Sequence, residues 1–402
     1  MSIHDRDELD EAYESGELSD GQYNAALREC DAVLQEYCTD IGKSTAVFDQ
    51  THALVNEKIK IGKLYSASGF QIVKEMNPWN TDDDKRFVFV VKFADNRPLA
   101  IKLCRNAFTT QEKVSGWKRL CKRYLELGIY CPQIVDSLNG RASETIVIDN
   151  DEYIVYAEEM KQYKAYDELT VKPDFESFKP AILASIGKAA ANARELLPFP
   201  SVFCIYETFD SNDVVDENYE NAENFCKEAK KHFPAHTKQV DEIWSLFLQK
   251  REEFKPIHRR LPKASFQADL NPSNILVDDD MNFAGYIDFN LSGTETVLSY
   301  IIISEVCGYP LRRADLDCLT DKDFLQKCDA YLYRNLEAIA KHYTFSDDEK
   351  ENLCLCYNTV YPFSCWSVNH KLDIAIKENK PAYVKPILDW VYYQLNRNDI
   401  KI

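Results

Sequence analysis

The stretch Ser265–Asn290, SFQADLNPSNILVDDDMNFAGYIDFN, constrains the fold of this 402-residue chain more than any other segment. It contains two short apolar runs, Ile275–Val277 and Phe283–Ile287, separated by the polar sequence DDDMN. This pattern predicts a β-hairpin with a polar turn. The hairpin would fold the chain back on itself, so that Asn274 at its entry comes close to Asp288 at its exit. One amide oxygen and one carboxylate at that place suit Mg²⁺, a hard cation that keeps several waters and shares phosphate oxygens.

The spacing of acidic and amide residues in this stretch is equally informative. Asp269 lies five residues before Asn274, and Asp288 lies fourteen residues after it. The stretch resembles the catalytic region of the aminoglycoside phosphotransferase and choline kinase superfamily. The pattern of that superfamily is His-Gly-Asp, four residues, Asn, and a hairpin ending in an apolar residue, Asp and an aromatic residue. An Asp/Asn-rich turn beside an ordinary hairpin is the alternative, and the matching Asn-Ile-Leu-Val and Ile-Asp-Phe runs disfavour it.

The resemblance implies an α/β (α+β) fold of the two-lobed, protein kinase-like type. The amino-terminal lobe would be a small antiparallel sheet and the carboxy-terminal lobe large and helical. The resemblance also implies Mg²⁺-dependent transfer of the γ-phosphoryl group of ATP or GTP to a hydroxyl of a small molecule, either a metabolite or an aminoglycoside-like antibiotic. In that reaction Asp269 would orient and deprotonate the acceptor hydroxyl, while Asn274 and Asp288 would bind Mg²⁺.

Two residues depart from the family pattern. Gln267 replaces the usual His, and Asn290 stands where Gly is common. Because a Gln amide can also donate a hydrogen bond, we expect Gln267 to orient the loop as the His does in relatives. Asn accepts left-handed backbone angles better than most residues, so Asn290 is compatible with the turn. Neither change removes Asp269 or Asp288, the two carboxylates that the chemistry needs.

Segments upstream of the motif offer candidates for nucleotide binding. Arg86–Phe93 and Leu99–Leu103 have strand-like composition, and the turn-forming sequence ADNRP between them predicts a hairpin. Lys102, in the second segment, resembles the phosphate-binding lysine on the third strand of the kinase amino-terminal lobe. The alternative is an edge lysine that faces water, and the downstream motif favours the nucleotide role.

A helix is predicted to follow these strands, starting near Thr109 with a capping-box pattern. Glu112 in its first turn would pair with Lys102, as the equivalent helix glutamate does in relatives, or would serve only as a helix cap. Farther along the chain, the run Glu158–Met160 lies where relatives have the hinge between the lobes, and Glu159 and Met160 are its candidates for nucleotide binding. The backbone amide and carbonyl groups of that hinge bind the edge of adenine.

The loop that would cover the nucleotide phosphates matches the family least well. If the first two strands are Phe70–Met76 and Phe87–Phe93, the loop is Asn77–Arg86, which has no glycine and three consecutive Asp residues. Glycine-rich loops hold phosphates with backbone N–H groups, whereas carboxylates pointing inward would repel them. We therefore expect these acids to point to solvent, with backbone amides or Lys85 making any phosphate contact. In an alternative register the loop is Ser66–Gly69.

Three regions are predicted along the chain. They are a helical acidic amino-terminal extension (1–60), a kinase-like amino-terminal lobe (61–157) and a helical carboxy-terminal lobe with the catalytic loop and the metal-binding hairpin (158–402). The helices of the last region are predicted at Phe175–Glu195, Glu217–Lys231, Thr237–Phe254, Thr296–Val306, Asp321–His342, Asp347–His370 and Lys380–Leu395.

Composition limits the partners and the location of the protein. The net charge of −18 argues against nucleic acid, because phosphate backbones recruit basic surfaces, and it is compatible with a cationic small-molecule substrate. The longest apolar run, Val297–Val306, is far shorter than the roughly 20 residues that span a bilayer. The polar, acidic start of the chain is no signal peptide. We therefore expect a cytoplasmic protein without a membrane partner.

Two other functions are compatible with parts of the sequence. A nucleotide-binding pseudokinase or scaffold is favoured by Gln267 and by the acidic loop. A protein kinase is disfavoured, because the chain passes from Asp288 almost directly into Val297–Val306 and leaves little room for an activation segment.

Overall fold

The computed structural model describes residues 60–66, 70–93, 98–304, 315–364 and 367–402. Except for Lys60, the acidic helical extension predicted over residues 1–60 lies outside the described residues. Residues 69–147 and 151–402 form one compact unit. The elements described below lie in that unit, apart from Ile148 at the end of one strand.

The amino-terminal lobe is built on an antiparallel sheet. Its strands are β1 (Phe70–Asn80), β2 (Lys85–Phe93), β3 (Pro98–Arg105), β4 (Ile134–Val135), β5 (Glu144–Ile148) and β6 (Asp151–Glu159). They are ordered β1-β2-β3-β6-β4, and β5 pairs with β6. The predicted strands Arg86–Phe93 and Leu99–Leu103 are confirmed as β2 and β3. In β2, Phe89, Val90 and Val91 are all buried, which is typical of a strand covered on both faces.

Helix α1 (Gln111–Glu126) follows β3, as the sequence predicts. Its N-cap is Thr110, whose hydroxyl accepts a hydrogen bond from the Lys113 N–H at 3.2 Å. The buried side of the helix carries Val114, Trp117 and Cys121 at spacings of three and four. The Trp117 ring contacts Tyr156 of β6, with ring centroids 6.1 Å apart, so α1 packs on the central strands of the sheet.

The carboxy-terminal lobe is mainly helical. Its helices are α2 (Lys179–Ala191), α3 (Glu217–His232), α4 (Thr237–Arg260), α5 (Val297–Ile303), α6 (Lys322–Ala340), α7 (Asp347–Val360), α8 (Ser367–Lys377) and α9 (Val384–Leu395). Several predicted helix bounds were wrong. The segment predicted as helical over Phe175–Glu195 begins with a 3₁₀ turn and ends, as α2, at Ala191, and α9 starts at Val384 after another 3₁₀ turn. Helix α4 continues past Phe254 to Arg260 even though Pro256 lies inside it. The single helix predicted over Asp347–His370 is two helices, because Pro362 lacks an N–H and lies in a short 3₁₀ turn after α7.

Short strands flank the predicted catalytic segment. They are β7 (Lys164–Ala165), β8 (Lys263–Phe266), β9 (Ile275–Val277), β10 (Phe283–Tyr286) and β11 (Gly293–Thr296). Strands β9 and β10 form the predicted hairpin, and β7 pairs with β9. Strands β8 and β11 form an antiparallel ribbon on either side of the hairpin, which the sequence analysis did not predict.

The hairpin is joined to the amino-terminal lobe through the backbone of Tyr130, which lies between α1 and β4. The Tyr130 N–H donates to the Ala284 carbonyl at 3.1 Å, and its carbonyl accepts from the Tyr286 N–H at 2.9 Å. This approach is so close that a Cβ on Gly285 would come within 1.8 Å of the Tyr130 carbonyl oxygen. The contact holds the hairpin, with Asn274 and Asp288 at its ends, against the sheet-bearing lobe.

No helix in the described ranges is long and apolar enough to cross a membrane.

Candidate active site

The loop after β8 carries Asp269, which lies among amide side chains. Its carboxylate accepts hydrogen bonds from the side-chain nitrogens of Asn271 and Asn274, both at 2.7 Å. The Asn274 nitrogen also lies 3.1 Å from the Asp269 carbonyl. Because both amides donate to it, Asp269 is held as an acceptor in one orientation. Asn271 was not among the predicted site residues, although its position two residues after Asp269 makes it a natural partner for that carboxylate.

The structure brings Asn274 and Asp288 to neighbouring positions, as the hairpin prediction requires. The Ile287 N–H donates to the Asn274 carbonyl at 3.0 Å, directly before Asp288. The side-chain nitrogen of Asn274 is used by Asp269, so its side-chain oxygen is the group left for a cation. Asp288 has a left-handed backbone, with φ of +59°, and its carboxylate is partly exposed. Few non-glycine residues adopt this conformation, and those that do are concentrated at functional sites.

Gln267 joins the catalytic loop to the Asp288 turn. Its side-chain nitrogen donates to the carbonyls of Ile287 and Asp288, both at 2.9 Å, and its side-chain oxygen accepts from the Asp269 N–H at 2.7 Å. The residue is 1% exposed. The predicted hydrogen bond from Gln267 to the Asp288 turn is confirmed.

The expectation that Asn290 adopts a left-handed backbone conformation was wrong. The left-handed conformation falls at Asp288, with φ of +59°, and not at Asn290. Asn290 is instead buried, and within the described part of the chain its side-chain oxygen has no hydrogen-bond partner. Ala268 is a third residue that differs from the superfamily pattern that the sequence resembles. Ala268 occupies the Gly position of His-Gly-Asp with φ of +70°, a conformation that costs a non-glycine residue about 1–2 kcal/mol.

Lys102 of β3 reaches Asp288 across the two lobes. Its ammonium nitrogen lies 3.4 Å from the Asp288 carboxylate and 3.0 Å from that of Glu158. Burial alone would lower the pKa of Lys102, but the carboxylates of Asp288 and Glu158 raise it well above its ordinary value. Lys102 is therefore a fixed cation, not a surface lysine at a sheet edge.

The structure does not bring Glu112 to Lys102. Glu112 is exposed in the first turn of α1 and makes no ion pair with Lys102. The carboxylate next to Lys102 is supplied by Glu158, which the sequence placed at the hinge and not beside this lysine. Glu158 is recognisable only once β3 and β6 are paired, because the contact depends on their register.

Glu159 and Met160 lie where the sheet ends and the chain enters the second lobe. Glu159 is the last residue of β6, and its N–H already donates to the Gln133 carbonyl at 3.0 Å. That amide is thus occupied within the lobe. Met160 is half-buried in the connection that follows, and its role at the hinge stays a prediction.

The predicted nucleotide loop is a tight turn. Strand β1 continues to Asn80 and β2 begins at Lys85, so only Thr81–Asp84 connect them. The three acids of the turn differ in direction. Asp82 and Asp83 are exposed, as expected, whereas Asp84 pairs with Arg86 at 2.6 Å and accepts from Asn106 at 2.9 Å. Residues 67–69 of the alternative Ser66–Gly69 loop lie outside the described residues.

Arg86 is a second cation on this side of the sheet that the sequence analysis did not single out. Arg86 lies opposite Cys104 in the β2–β3 pairing, and Cys104 is two residues after Lys102 on β3. Arg86 and Lys102 therefore lie on the same face of the sheet. Burial alone would lower the pKa of the Arg86 guanidinium, but the Asp84 carboxylate, with a smaller effect of Asp288, raises it.

The order of elements decides the fold. A helix follows the third strand of an antiparallel sheet, and a connection after β6 leads into a helical lobe. That lobe returns a hairpin carrying Asp288 to the lysine of β3. The fold is protein kinase-like.

No protein-family model and no curated protein matches the chain. Among solved structures, the chain is similar to amicoumacin kinase hAmiN in complex with AMP-PNP, Ca²⁺ and Ami, with 15% identity and a TM-score of 0.47 over 83% of this chain and 93% of that one. It is similar to a microcompartment-associated aminopropanol kinase, with 12% identity and a TM-score of 0.48 over 85% and 99% of the two chains. It is also similar to a spectinomycin phosphotransferase in complex with ADP and spectinomycin, with 10% identity and a TM-score of 0.45 over 84% and 98%.

Proposed function

We propose that this kinase-like protein is a small-molecule kinase of the aminoglycoside phosphotransferase and choline kinase-like superfamily. It would transfer the γ-phosphoryl group of ATP or GTP to a hydroxyl of a metabolite or an aminoglycoside-like antibiotic. The observation that carries the proposal is one connected set of contacts. Lys102 contacts Asp288, the Asp288 turn is bonded to Gln267, and Gln267 and Asn274 both bond to Asp269.

The residues at the hairpin fit a magnesium ion that is shared with a nucleotide. Asp288 offers a carboxylate and Asn274 an amide oxygen, which are hard oxygen ligands. Among the described residues, no three His, Cys, Asp or Glu side chains gather as a metal-binding group. Phosphate oxygens and water would therefore complete the coordination shell, and the bound ion would neutralise charge on the phosphates.

Asp269 is proposed to act on the acceptor hydroxyl. Its carboxylate is held by Asn271 and Asn274, so it can accept a hydrogen bond from a hydroxyl in one defined direction. Phosphoryl transfer needs mainly positioning and charge stabilisation. Lys102 is proposed to supply charge stabilisation by contacting the α/β-phosphates from the side of the sheet.

A two-stage experiment tests the function. In the first stage, Mg²⁺ with ATP or GTP should raise the melting temperature of the wild type, because a ligand of the folded state stabilises it. Asp288→Ala should lose most of that shift. Asp279→Asn, which changes an exposed carboxylate in the β9–β10 turn, is the matched control and should keep it. In the second stage, Asp269→Asn should bind nucleotide like the wild type, while phosphoryl transfer to a panel of hydroxylated metabolites and aminoglycosides falls roughly 10²-fold or more.

Each stage can contradict the proposal. Equal thermal shifts for wild type and Asp288→Ala would remove the metal site, and wild-type turnover by Asp269→Asn would remove its catalytic role. A pseudokinase is the second candidate, because the turn Thr81–Asp84 has no glycine and directs Asp84 inward. Nucleotide binding by the wild type without turnover of any acceptor would favour it.

A further inference from the structure

The carboxylate that contacts Lys102 comes from the neighbouring strand of the sheet. Strands β3 and β6 pair so that Tyr156 lies opposite Lys102 and Glu158 lies opposite Ala100. Directly opposed residues of an antiparallel pair share a face, and residues two apart on one strand also share it. Glu158 is therefore the diagonal neighbour of Lys102 on the same face, and its carboxylate lies 3.0 Å from the ammonium nitrogen.

Helix α1 does not supply this carboxylate. Its only acidic residues are Glu112 and Glu126, and both are exposed. The side that packs on the sheet carries Trp117 and Cys121, which are 1% and 2% exposed. Among the described residues, Glu158 and Asp288 are the two ion-pair partners of Lys102, so that without Glu158 only Asp288 would remain.

The surroundings of the pair make the contact strong. The side chains of Lys102 and Glu158 are 16% and 13% exposed, and the Lys102 nitrogen lies 5.7 Å from the centre of the Tyr156 ring. An ion pair withdrawn from water is little screened by salt, and removal of one partner leaves the other without compensation. Asp288, by contrast, is 36% exposed and is the carboxylate proposed to turn to a metal.

We propose that Glu158 is the positioning residue for Lys102, fixing its ammonium group for phosphate binding from within the sheet. When the Asp288 carboxylate binds a metal ion, Glu158 remains the anion that holds Lys102 at the end of its flexible side chain. This inference rests on the proposed function, because it assigns Lys102 to nucleotide phosphate. Glu158 acts through Lys102 and does not itself touch the reacting atoms.

The experiment measures the dissociation constant of Mg²⁺–ATP and the steady-state constants for Glu158→Gln, Glu112→Gln and Lys102→Met. Glu158→Gln should weaken nucleotide binding roughly 10-fold or more, the scale seen when a residue supporting a ligating group is removed. Glu112→Gln changes the exposed helix acid and should match the wild type. A double variant, Glu158→Gln with Lys102→Met, should bind no more weakly than Lys102→Met alone, because the two residues act as one unit.

The double variant separates positioning from a structural role. Independent losses that add in the double variant would show that Glu158 only stabilises the sheet and would overturn the inference. Glu158→Gln with wild-type affinity, or an effect of Glu112→Gln as large, would overturn it too. If Glu158→Gln does not fold, Glu158→Asp keeps the charge, and its shorter side chain should still weaken binding only when Lys102 is present. Absence of nucleotide binding by the wild type would instead contradict the proposed function itself.

Discussion

At the scale of single residues, Gln267 stands where the superfamily pattern that the sequence resembles has histidine. It makes three hydrogen bonds, two donated to the carbonyls of Ile287 and Asp288 and one accepted from the Asp269 N–H. Histidine also has a donor and an acceptor nitrogen in its neutral form, whereas leucine has neither. Gln267 thus ties the proposed catalytic carboxylate to the proposed metal ligand.

We expect Gln267→His to keep nucleotide binding and Gln267→Leu to lose part of it. The Leu variant leaves the partners of a buried side chain unpaired, at about 1–3 kcal/mol for each buried group. The free energy of unfolding in urea and the affinity for Mg²⁺–ATP should therefore fall together. A Leu variant that equals the wild type in both measurements would show that these three bonds do not organise the site.

Contacts between residues close together in the sequence could be predicted, whereas contacts that depend on strand pairing could not. Asp269, Asn274 and Asp288 belong to one contiguous motif whose spacing is set by a hairpin, so their meeting could be predicted. Glu158 could not, because its contact with Lys102 exists only in the register of β3 with β6. The left-handed angle at Ala268 was missed for another reason. Alanine gives no local signal for positive φ, as glycine would.

At the scale of elements, the predictions held where periodicity was strong and failed at breaks and long-range pairings. The β9–β10 hairpin and α1 were predictable from apolar runs and turn residues. The β8–β11 ribbon was not, because its four-residue strands pair across the whole hairpin and carry little local pattern. The break between α7 and α8 depended on Pro362 inside a continuous apolar periodicity, which outweighed the proline in the prediction.

The hairpin offers a test of how the two lobes are joined. A Cβ on Gly285 would meet the backbone of Tyr130, with its carbonyl oxygen at 1.8 Å. Backbone cannot move aside as a flexible side chain can, so Gly285→Ala should cost about 1–3 kcal/mol or more of unfolding free energy. Chemical denaturation measures this cost, and the thermal shift with Mg²⁺–ATP should shrink as well, because the strand leads to Asp288.

Gly140→Ala is the control for introducing alanine at a glycine. No atom lies within 4 Å of a Cβ there, but φ is +74°, so it measures only the backbone cost of a left-handed alanine. We expect Gly285→Ala to be more destabilising and to be alone in weakening nucleotide binding. If the two variants behave alike, the close approach of Tyr130 to the hairpin is not needed for the site.

At the scale of the whole molecule, a net charge of −18 makes close approaches between carboxylates hard to avoid. One lies at the start of α3, where Glu217 is close to Glu220, Asp213 and Asp216. Asp216 is neutralised by Arg251 in a buried ion pair, whereas no ion pair of Glu217 is found in the part of the chain that the structure describes. Burial first, and then the neighbouring Glu220 and Asp213 carboxylates, raise the pKa of Glu217 to about 7, while a hydrogen bond from Asn221 opposes the shift.

This raised pKa predicts how stability depends on pH. Between the ordinary glutamate value of 4.5 and about 7, the folded chain binds more protons at Glu217 than the unfolded chain does. The stability that the proton on Glu217 contributes is therefore fully present below about pH 4.5 and is lost as pH rises through about 7.

Each pKa unit of Glu217 corresponds to about 1.4 kcal/mol of stability. Solvent screening reduces the effect for a partly exposed carboxylate. We therefore expect the unfolding free energy of Glu217→Gln, relative to that of the wild type, to rise by about 1–2 kcal/mol between pH 5 and pH 8. Glu223→Gln, at an exposed position of the same helix, should show no such gain. Urea unfolding of all three proteins at both pH values measures the difference. Parallel pH dependence for the wild type and Glu217→Gln would show that this carboxylate is ionised without cost in the folded protein.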